Sequence, residues 1–190
     1  MFIVTGTKRS GTSMWMQVLR AAGLPVLGEA FPRGWGKSIK DANPDGFFES
    51  LFREGVYWRT NPHPSTGRYL FDHEVRDYGC KVFVPGLIRT ERAFIQKVIA
   101  NVREWREYEA SLARLKSMEE GKSHPELPEI VAMPAPLEWW MENFALIRDL
   151  SIRQYPYSLQ SYDQVLRDPE PFVRRALEGI EGADIEEAVD

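Results

Sequence analysis

The sequence predicts an α/β protein in which a parallel sheet is flanked by helices on both faces. The first observation is that short apolar, β-favouring runs alternate with segments of helical periodicity, as in parallel sheets with crossover helices. The second is the length of 190 residues, which suits a single domain spanning residues 1–190. The third is the composition, 43% hydrophobic and 27% charged, which is ordinary for a globular protein and excludes wholesale disorder or a coiled-coil rod.

Four strands are predicted from short apolar runs that are bounded by turn residues. The third of these runs is amphipathic enough to suit a helix as well, but its β-branched content favours a strand. The predicted strands span residues 1–5, 81–85, 94–102 and 157–162.

Apolar residues at helical spacing predict the helices. One begins at Thr12 and ends near Gly23, one spans 104–118, and one begins at Asp168-Pro169 with Asp as the N-cap. Another, about 17 residues long, is predicted from the spacing of Leu137, Trp140, Met141, Phe144, Ile147 and Ser151. Residues 28–67 are too irregular for more than a helix near 48–58, and the proline-containing segment 119–136 is predicted to be a loop.

The charges are distributed unevenly along the chain. The net charge of −4 argues against general nucleic-acid binding, yet residues 1–40 carry six basic side chains against one acidic. Residues 168–190 carry eight acids against two arginines. The basic end is either a solvated face or the part of the molecule that meets an anion.

The single cysteine, Cys80, excludes an internal disulfide. No long apolar run or leader-like pattern is present, so we expect a cytoplasmic protein without membrane association. The three histidines are scattered, and we expect no metal site.

A loop framed by two glycines separates the first strand from the first helix. In this geometry, consecutive backbone N–H groups and a helix N-terminus face one anion. A tight structural turn is the alternative. The predicted anion-binding loop consists of Gly6, Thr7, Lys8, Arg9, Ser10, Gly11, Thr12 and Ser13.

The loop differs from those of ATP- and GTP-cleaving enzymes. These have Lys and then Ser or Thr after the second glycine, because the Lys reaches the β/γ-phosphates and the hydroxyl binds magnesium. Here Thr12 occupies the Lys position, while the cations Lys8 and Arg9 lie inside the loop. We therefore expect an anion other than a magnesium-chelated triphosphate.

Residues 8–13, Lys-Arg-Ser-Gly-Thr-Ser, resemble the 5′-phosphosulfate loop of the sulfotransferase family, commonly Pro-Arg/Lys-Ser-Gly-Thr-Thr/Ser. The resemblance implies a P-loop NTPase-like fold and 3′-phosphoadenosine 5′-phosphosulfate (PAPS) as the donor co-substrate. It implies transfer of the sulfuryl group to a hydroxyl or amine of a small-molecule acceptor. Arg9 falls on the family's basic loop residue, and Lys8 stands where proline is usual.

The same family holds the donor's 3′-phosphate with an Arg at a strand end and a Ser eight residues later. Arg103, at the end of the 94–102 run, and Ser111 have this spacing. An alternative register, Arg89 and Lys97, would put Lys where Ser belongs, so we favour Arg103 and Ser111.

Two further segments resemble bacterial sulfotransferase-like proteins. Residues 43–49, Asn-Pro-Asp-Gly-Phe-Phe-Glu, look like their Asn-Pro-x-Gly-Tyr/Phe-Phe/Tyr-Glu stretch, and 139–170 resembles their C-terminal half. The Gly-x-x-Gly-x-x-Lys motif of the cytosolic branch is missing, because residues 179–185 contain both glycines but no lysine. We interpret that segment as a helix C-cap and turn.

The resemblance also suggests which side chains act in the chemistry. Arg9 and Lys8 would stabilise charge on the leaving phosphate. Lys81 matches the Lys of the family's Lys-Thr-His segment, in which Phe83 here replaces the His. The candidate general base is then Glu49, for which a helix-capping role is the alternative. Glu74 and His73 are further alternatives for the base.

The sequence thus predicts a sulfotransferase, with an acceptor under the aromatic segment 31–58 and near 119–136. The aromatic residues suggest an acceptor with an apolar part, or they belong to the core. One alternative function is a P-loop small-molecule kinase with a degenerate loop. Another is a non-catalytic nucleotide-binding or interaction protein of the same fold.

Overall fold

The computed structural model describes residues 1–31, 43–119 and 133–189. In these residues the chain forms a single α/β domain around a five-stranded parallel sheet of order β2-β3-β1-β4-β5. This confirms the predicted fold class at the level of a parallel sheet flanked by helices. The strands are β1 (Phe2–Thr5), β2 (Val26–Leu27), β3 (Gly79–Lys81), β4 (Lys97–Val102) and β5 (Tyr157–Ser161).

The described helices vary from one turn to five turns in length. Short 3₁₀ turns at Leu51–Glu54, Asp72–Val75 and Arg92–Phe94 lie between them. The α-helices are α1 (Thr12–Ala21), α2 (Val84–Arg89), α3 (Trp105–Glu119), α4 (Ala135–Arg153), α5 (Tyr162–Arg167), α6 (Pro169–Leu177) and α7 (Ile185–Val189). In the described residues, no helix has both the length and the apolar character needed to cross a membrane.

The central strand β1 is buried on both faces, and its alternating side chains contribute to two cores. Phe2 and Val4 belong to a cluster with α1, α6 and α7, whereas Ile3 belongs to a cluster with α2 and α4. The sheet is therefore covered by helices on both sides, which explains why β1 reads as a continuous apolar run.

The predicted strand 81–85 is displaced in the structure. β3 starts earlier, at Gly79, and ends at Lys81, while Val84 and Pro85 begin α2. Proline suits the first turn of a helix as well as the end of a strand, because neither position needs the backbone N–H that proline lacks. Similarly, the run 94–102 becomes a strand only from Lys97, because Arg92–Phe94 forms a 3₁₀ turn.

The helix expected near 48–58 is reduced to the 3₁₀ turn Leu51–Glu54. Ser50 caps this turn by accepting a hydrogen bond from the Phe52 N–H at 3.2 Å. The capping role considered for Glu49 is therefore filled by its neighbour. After α6, Gly179 and Gly182 have φ values of 75° and 80°, which confirms the expected C-cap and turn.

The helix of about 17 residues predicted from apolar spacing is present as α4. Its large apolar side chains at 137, 140, 141, 144 and 147 are at least half exposed, while Asn143, Leu146, Asp149 and Leu150 are buried. The two polar residues are accommodated by hydrogen bonds: Asn143 donates to the Trp139 carbonyl, and Asp149 accepts from Tyr155 Oη. Apolar spacing thus located the helix without showing which face is buried, and the Asn143 side-chain oxygen has no hydrogen-bond partner among the described residues.

Candidate functional site

The glycine-framed loop lies at the carboxyl edge of the sheet, beside the end of β4. From β1 the chain crosses to β2 on one side of the sheet, whereas from β4 it crosses to β5 on the other. The boundary between β1 and β4 is thus a topological switch point, the place where open α/β sheets bind their ligands.

The two glycines permit a loop that other residues would obstruct. Gly6 and Gly11 have φ values of 153° and 87°. A Cβ on Gly6 would lie 2.4 Å from the Asn101 carbonyl oxygen, and one on Gly11 would lie 2.5 Å from the Tyr162 ring. The Asn101 amide donates to the Ser10 carbonyl at 2.5 Å, so β4 also holds the loop in place.

The loop ends at the N-terminus of α1, which carries no side-chain cap. Gly11 is the N-cap residue, and the first turn contains no acidic side chain. The N–H groups of a helix's first turn have no acceptor within the helix, and the helix dipole places partial positive charge there. This helix start is therefore suited to an anion.

Arg9, Arg103 and Ser111 come together around the loop. Arg9 Nε donates to Ser111 Oγ at 3.1 Å, across 102 residues of sequence. Arg103 Nη1 donates to the Arg9 carbonyl oxygen at 3.0 Å, and its guanidinium lies 4.6 Å from the centre of the Tyr162 ring. The structure thus brings the loop together with Arg103 and Ser111, the pair that the resemblance implied for the 3′-phosphate.

The alternative pair is placed differently. Lys97 lies at the amino end of β4, where its Nζ donates to the carbonyl oxygens of Arg175 and Glu178 at 3.2 and 2.7 Å. It is therefore at the opposite edge of the sheet from the loop. Arg89 ends α2 and lies near the Tyr57 ring, with 5.9 Å between its guanidinium carbon and the ring centre.

Three buried polar side chains around the loop lack hydrogen-bond partners among the described residues. They are the hydroxyls of Thr5 and Thr7 and the side-chain oxygen of Asn101, each at most 1% exposed as a residue. Buried polar atoms usually have partners, and a ligand or water can supply them. Four other buried side-chain atoms of the described residues also lack a partner, so these three atoms fit a ligand site without marking one by themselves.

A second charged group, formed by Lys81, Glu49 and Arg53, adjoins the start of α1. Lys81 Nζ is 3.3 Å from Glu49 Oε1, and it also donates to Ser13 Oγ at 3.2 Å and to the Phe47 carbonyl at 3.0 Å. Arg53 Nη1 donates to Glu49 Oε2 at 2.6 Å. Ser13 thereby connects the Lys81–Glu49 pair to the helix that follows the loop.

Burial changes the proton affinity of both candidate cations. It lowers the pKa of Lys81, an effect that the neighbouring Glu49 carboxylate partly opposes. Burial also lowers the pKa of Arg9, and the positive charge of Arg103 adds to this decrease. Both groups are therefore cations held where an anionic ligand would offset the cost of their desolvation.

Sequence reasoning missed a carboxylate pair on the other side of the loop. Burial and the neighbouring Glu138 raise the pKa of Glu142 to about 7, while the Lys8 ammonium opposes the increase. The spacing of four residues places both carboxylates on one side of α4. Their nearness to Lys8 follows only from the packing of α4 beside the loop.

The other candidates stand apart from this site. Glu74 accepts hydrogen bonds from Arg68 and from the Phe71 N–H in an exposed turn, and His73 stacks on the Phe71 ring at 5.7 Å. Among the residues that the structure describes, no group of three or more His, Cys, Asp or Glu side chains is arranged to hold a metal ion. Two segments, 31–58 and 119–136, were predicted to cover the acceptor. They include residues 32–42 and 120–132, respectively, which lie outside the described residues.

Comparisons of the chain with protein-family models, with curated proteins and with solved structures find no match.

Proposed function

We propose that this protein is a PAPS-dependent sulfotransferase with a P-loop NTPase-like fold, acting on a hydroxyl or amine of a small, partly apolar acceptor. One observation carries the proposal. Arg9 lies inside the loop, binds Ser111 and contacts Arg103 through its backbone, so the residues expected for both phosphate groups of the donor surround one site.

The donor would bind with its 5′-phosphosulfate at residues 6–13 and its 3′-phosphate at Arg103 and Ser111. The loop N–H groups, Arg9 and Lys8 would stabilise the negative charge that develops on the leaving phosphate. The hydrogen bond from Arg9 to Ser111 connects the two parts of this site.

Sulfuryl transfer breaks the bond between sulfur and the phosphate oxygen and forms one between sulfur and the acceptor oxygen or nitrogen. In this assignment Glu49 accepts the acceptor's proton, and Lys81 provides positive charge beside the transferring group. Glu49 is only 10% exposed and lies in the same cluster as Ser13, which supports its assignment to the reaction.

A second candidate is a nucleotide-binding protein without transferase activity. It is favoured by one feature of the same cluster: the two oxygens of Glu49 already contact Arg53 and Lys81, at 2.6 and 3.3 Å. A carboxylate whose two oxygens each contact a cation in this way suits a structural role.

The donor assignment is tested by thermal unfolding in the presence of nucleotides. Adenosine 3′,5′-bisphosphate, the expected product, should raise the melting temperature, because a ligand that binds only the folded state stabilises it. ATP with magnesium should not. Equal shifts with both nucleotides, or a shift with ATP and magnesium alone, would favour a kinase, and no shift with the bisphosphate would contradict the proposal.

The catalytic assignment is tested with Glu49→Gln and with Glu54→Gln as the control. Glu54 is a more exposed carboxylate that also contacts Arg53. In a screen of hydroxyl and amine acceptors with PAPS, Glu49→Gln should lower the transfer rate about 10²- to 10⁴-fold while bisphosphate binding persists. Binding of the bisphosphate without transfer to any acceptor by the unmodified protein would support the second candidate.

A further inference from the structure

The exposed side of α4 is unusually apolar. Leu137, Trp140, Met141, Phe144 and Ile147 are 50%, 65%, 52%, 67% and 52% exposed. Their helical spacing places them in one stripe, opposite the buried Leu146 and Leu150. Side chains of this size present on the order of several hundred Å² of contiguous apolar surface, enough to mark an interaction site. We call these five residues the α4 stripe.

The α4 stripe is nearly symmetric about Phe144. Met141 and Ile147 lie three residues before and after it, and Trp140 and Arg148 lie four residues before and after it. If two copies of α4 pair antiparallel with Phe144 on the two-fold axis, Met141 of one copy faces Ile147 of the other. Trp140 then faces Arg148.

Arg148 argues against a purely apolar occupant of this surface. It is exposed and lies within the angular range of the α4 stripe. A purely apolar partner would cover its charge without offering it a group to bind, which is costly. A second copy offers the face of Trp140, the aromatic side chain that binds guanidinium groups best.

We propose that the α4 stripe is the interface of a two-fold symmetric homodimer, in which the two α4 helices pack antiparallel about Phe144. Such an interface is isologous, so the pairings of Met141 with Ile147 and of Trp140 with Arg148 each occur twice. The proposal does not depend on the function proposed above.

The position of Trp140 is supported from within each copy. Its ring lies edge-on to that of Trp139, with 5.2 Å between their centres. Trp139 Nε1 in turn donates to the Arg103 carbonyl oxygen at 2.8 Å. Trp139 thereby connects the proposed interface to the end of β4. Its contact with Trp140 restricts the orientation of the Trp140 ring within each copy, which lowers the entropy cost of association.

The first test compares the mass of the protein in solution with that of charge variants. Sedimentation velocity should show a dimer for the unmodified protein and a monomer for Phe144→Glu at the same micromolar concentrations. The matched control is Leu166→Glu on α5, where the leucine is 58% exposed, and this variant should remain a dimer. A monomeric unmodified protein throughout the micromolar range, or a dimeric Phe144→Glu variant, would overturn the proposal.

Circular dichroism would show whether Phe144→Glu is folded, as its 67% exposure leads us to expect. If that variant does not fold, Arg148→Glu replaces it, since it removes the cation that faces Trp140 and changes only a surface charge. This variant should shift the equilibrium toward monomer, and an unchanged dimer would count against the proposed pairing.

The second test determines the orientation by cysteine cross-linking. The only native cysteine, Cys80, is buried. Phe144→Cys should form an intermolecular disulfide under mild oxidation. Leu137→Cys should not, because seven residues from the axis the two copies would be about 21 Å apart, beyond the reach of a disulfide. Equal cross-linking of both variants would indicate parallel pairing, and a dimer in which neither cross-links would also overturn the antiparallel arrangement.

Discussion

Gly11 shows how one residue shapes the loop. With a φ of 87° it occupies the left-handed region, and the space where a side chain would begin is filled by the Tyr162 ring and the Asn101 amide. Asn101 lies in β4, and Tyr162 begins the helix that follows β5. The glycine therefore serves two purposes, since it permits the turn and lets the ends of β4 and β5 approach the loop.

We expect Gly11→Ala to lower the free energy of unfolding by about 2–3 kcal/mol, because strain in φ and overpacking act together. Gly23→Ala is the matched control: its φ is 77°, but a Cβ there would meet nothing within 4 Å. It should lose only about 1 kcal/mol. Urea denaturation measures both values, and equal losses would show that the contacts with Tyr162 and Asn101 are unimportant.

The pKa of Glu142 depends on the groups that surround it beside the loop. Its pKa is raised to about 7 by burial and by Glu138, against the attraction of Lys8. A raised pKa means that the folded state binds a proton more tightly than the unfolded state does. The resulting stabilisation is fully present below pH 4.5 and is lost as the pH rises through about 7.

Glu142→Gln should therefore change stability in a pH-dependent way. The amide cannot ionise, so we expect the variant to be more stable than the unmodified protein by about 1 kcal/mol at pH 8, after allowance for solvent screening, with little gain near pH 5. Urea denaturation at the two pH values measures the difference. A gain of equal size at both would indicate a cause other than this ionisation.

At the scale of elements, Arg103 connects the end of β4 to four other parts of the fold. Its side chain donates to the loop at Arg9, lies over the Tyr162 ring at the start of α5, and pairs with Glu107 in the first turn of α3 at 3.3 Å. Its carbonyl oxygen accepts the hydrogen bond from Trp139 of α4. A planar guanidinium can lie over the Tyr162 ring while its N–H groups donate to Arg9 and Glu107, a geometry that a lysine ammonium does not match.

On the proposed function, Arg103→Lys should weaken the binding of adenosine 3′,5′-bisphosphate about tenfold or more, because the forked contact with a phosphate is lost. The control is Arg106→Lys at an exposed position in the first turn of α3, which should change affinity less than about twofold. Isothermal titration calorimetry measures both. Unchanged affinity in Arg103→Lys would remove Arg103 from the nucleotide site.

The elements also show where local sequence patterns reach their limit. The periodicity of α4 correctly indicated which residues share a face, and in the described structure that face is exposed. The inward face contains Asn143 and Asp149, whose hydrogen bonds depend on Trp139 and on Tyr155 after the helix ends. A pattern of apolar residues identifies such a face without identifying its partner.

At the scale of the whole molecule, the uneven charge distribution has a simple structural counterpart. Within the acidic C-terminal segment, Arg174 forms ion pairs with Glu170 and Glu186, each at 2.8 Å, and so links α6 to α7. The end of α6 lies at the amino edge of the sheet, where Lys97 binds its last carbonyls. The basic loop lies at the carboxyl edge, so the sheet separates the two.

The sequence by itself determined the α/β class and the position of the loop. Both depend on local features: apolar runs of strand length, helical periodicity, and two glycines between a strand and a helix. Arg103 and Ser111 were selected by the resemblance to the sulfotransferase family, whose motif places an Arg at a strand end and a Ser eight residues later. The displaced boundaries of β3 and β4 show that such signals locate an element better than they define its ends.

Only the tertiary structure decided which distant groups meet. The contacts of Arg9 with Ser111 and of Lys81 with Glu49 span 102 and 32 residues, and they form because parallel strands bring their following segments to one edge of the sheet. The approach of Glu142 to Lys8, and the outward face of α4, depend likewise on how helices pack across the sheet. Local sequence contains the chemistry of these side chains, whereas their distances result from packing and hydrogen bonding throughout the chain.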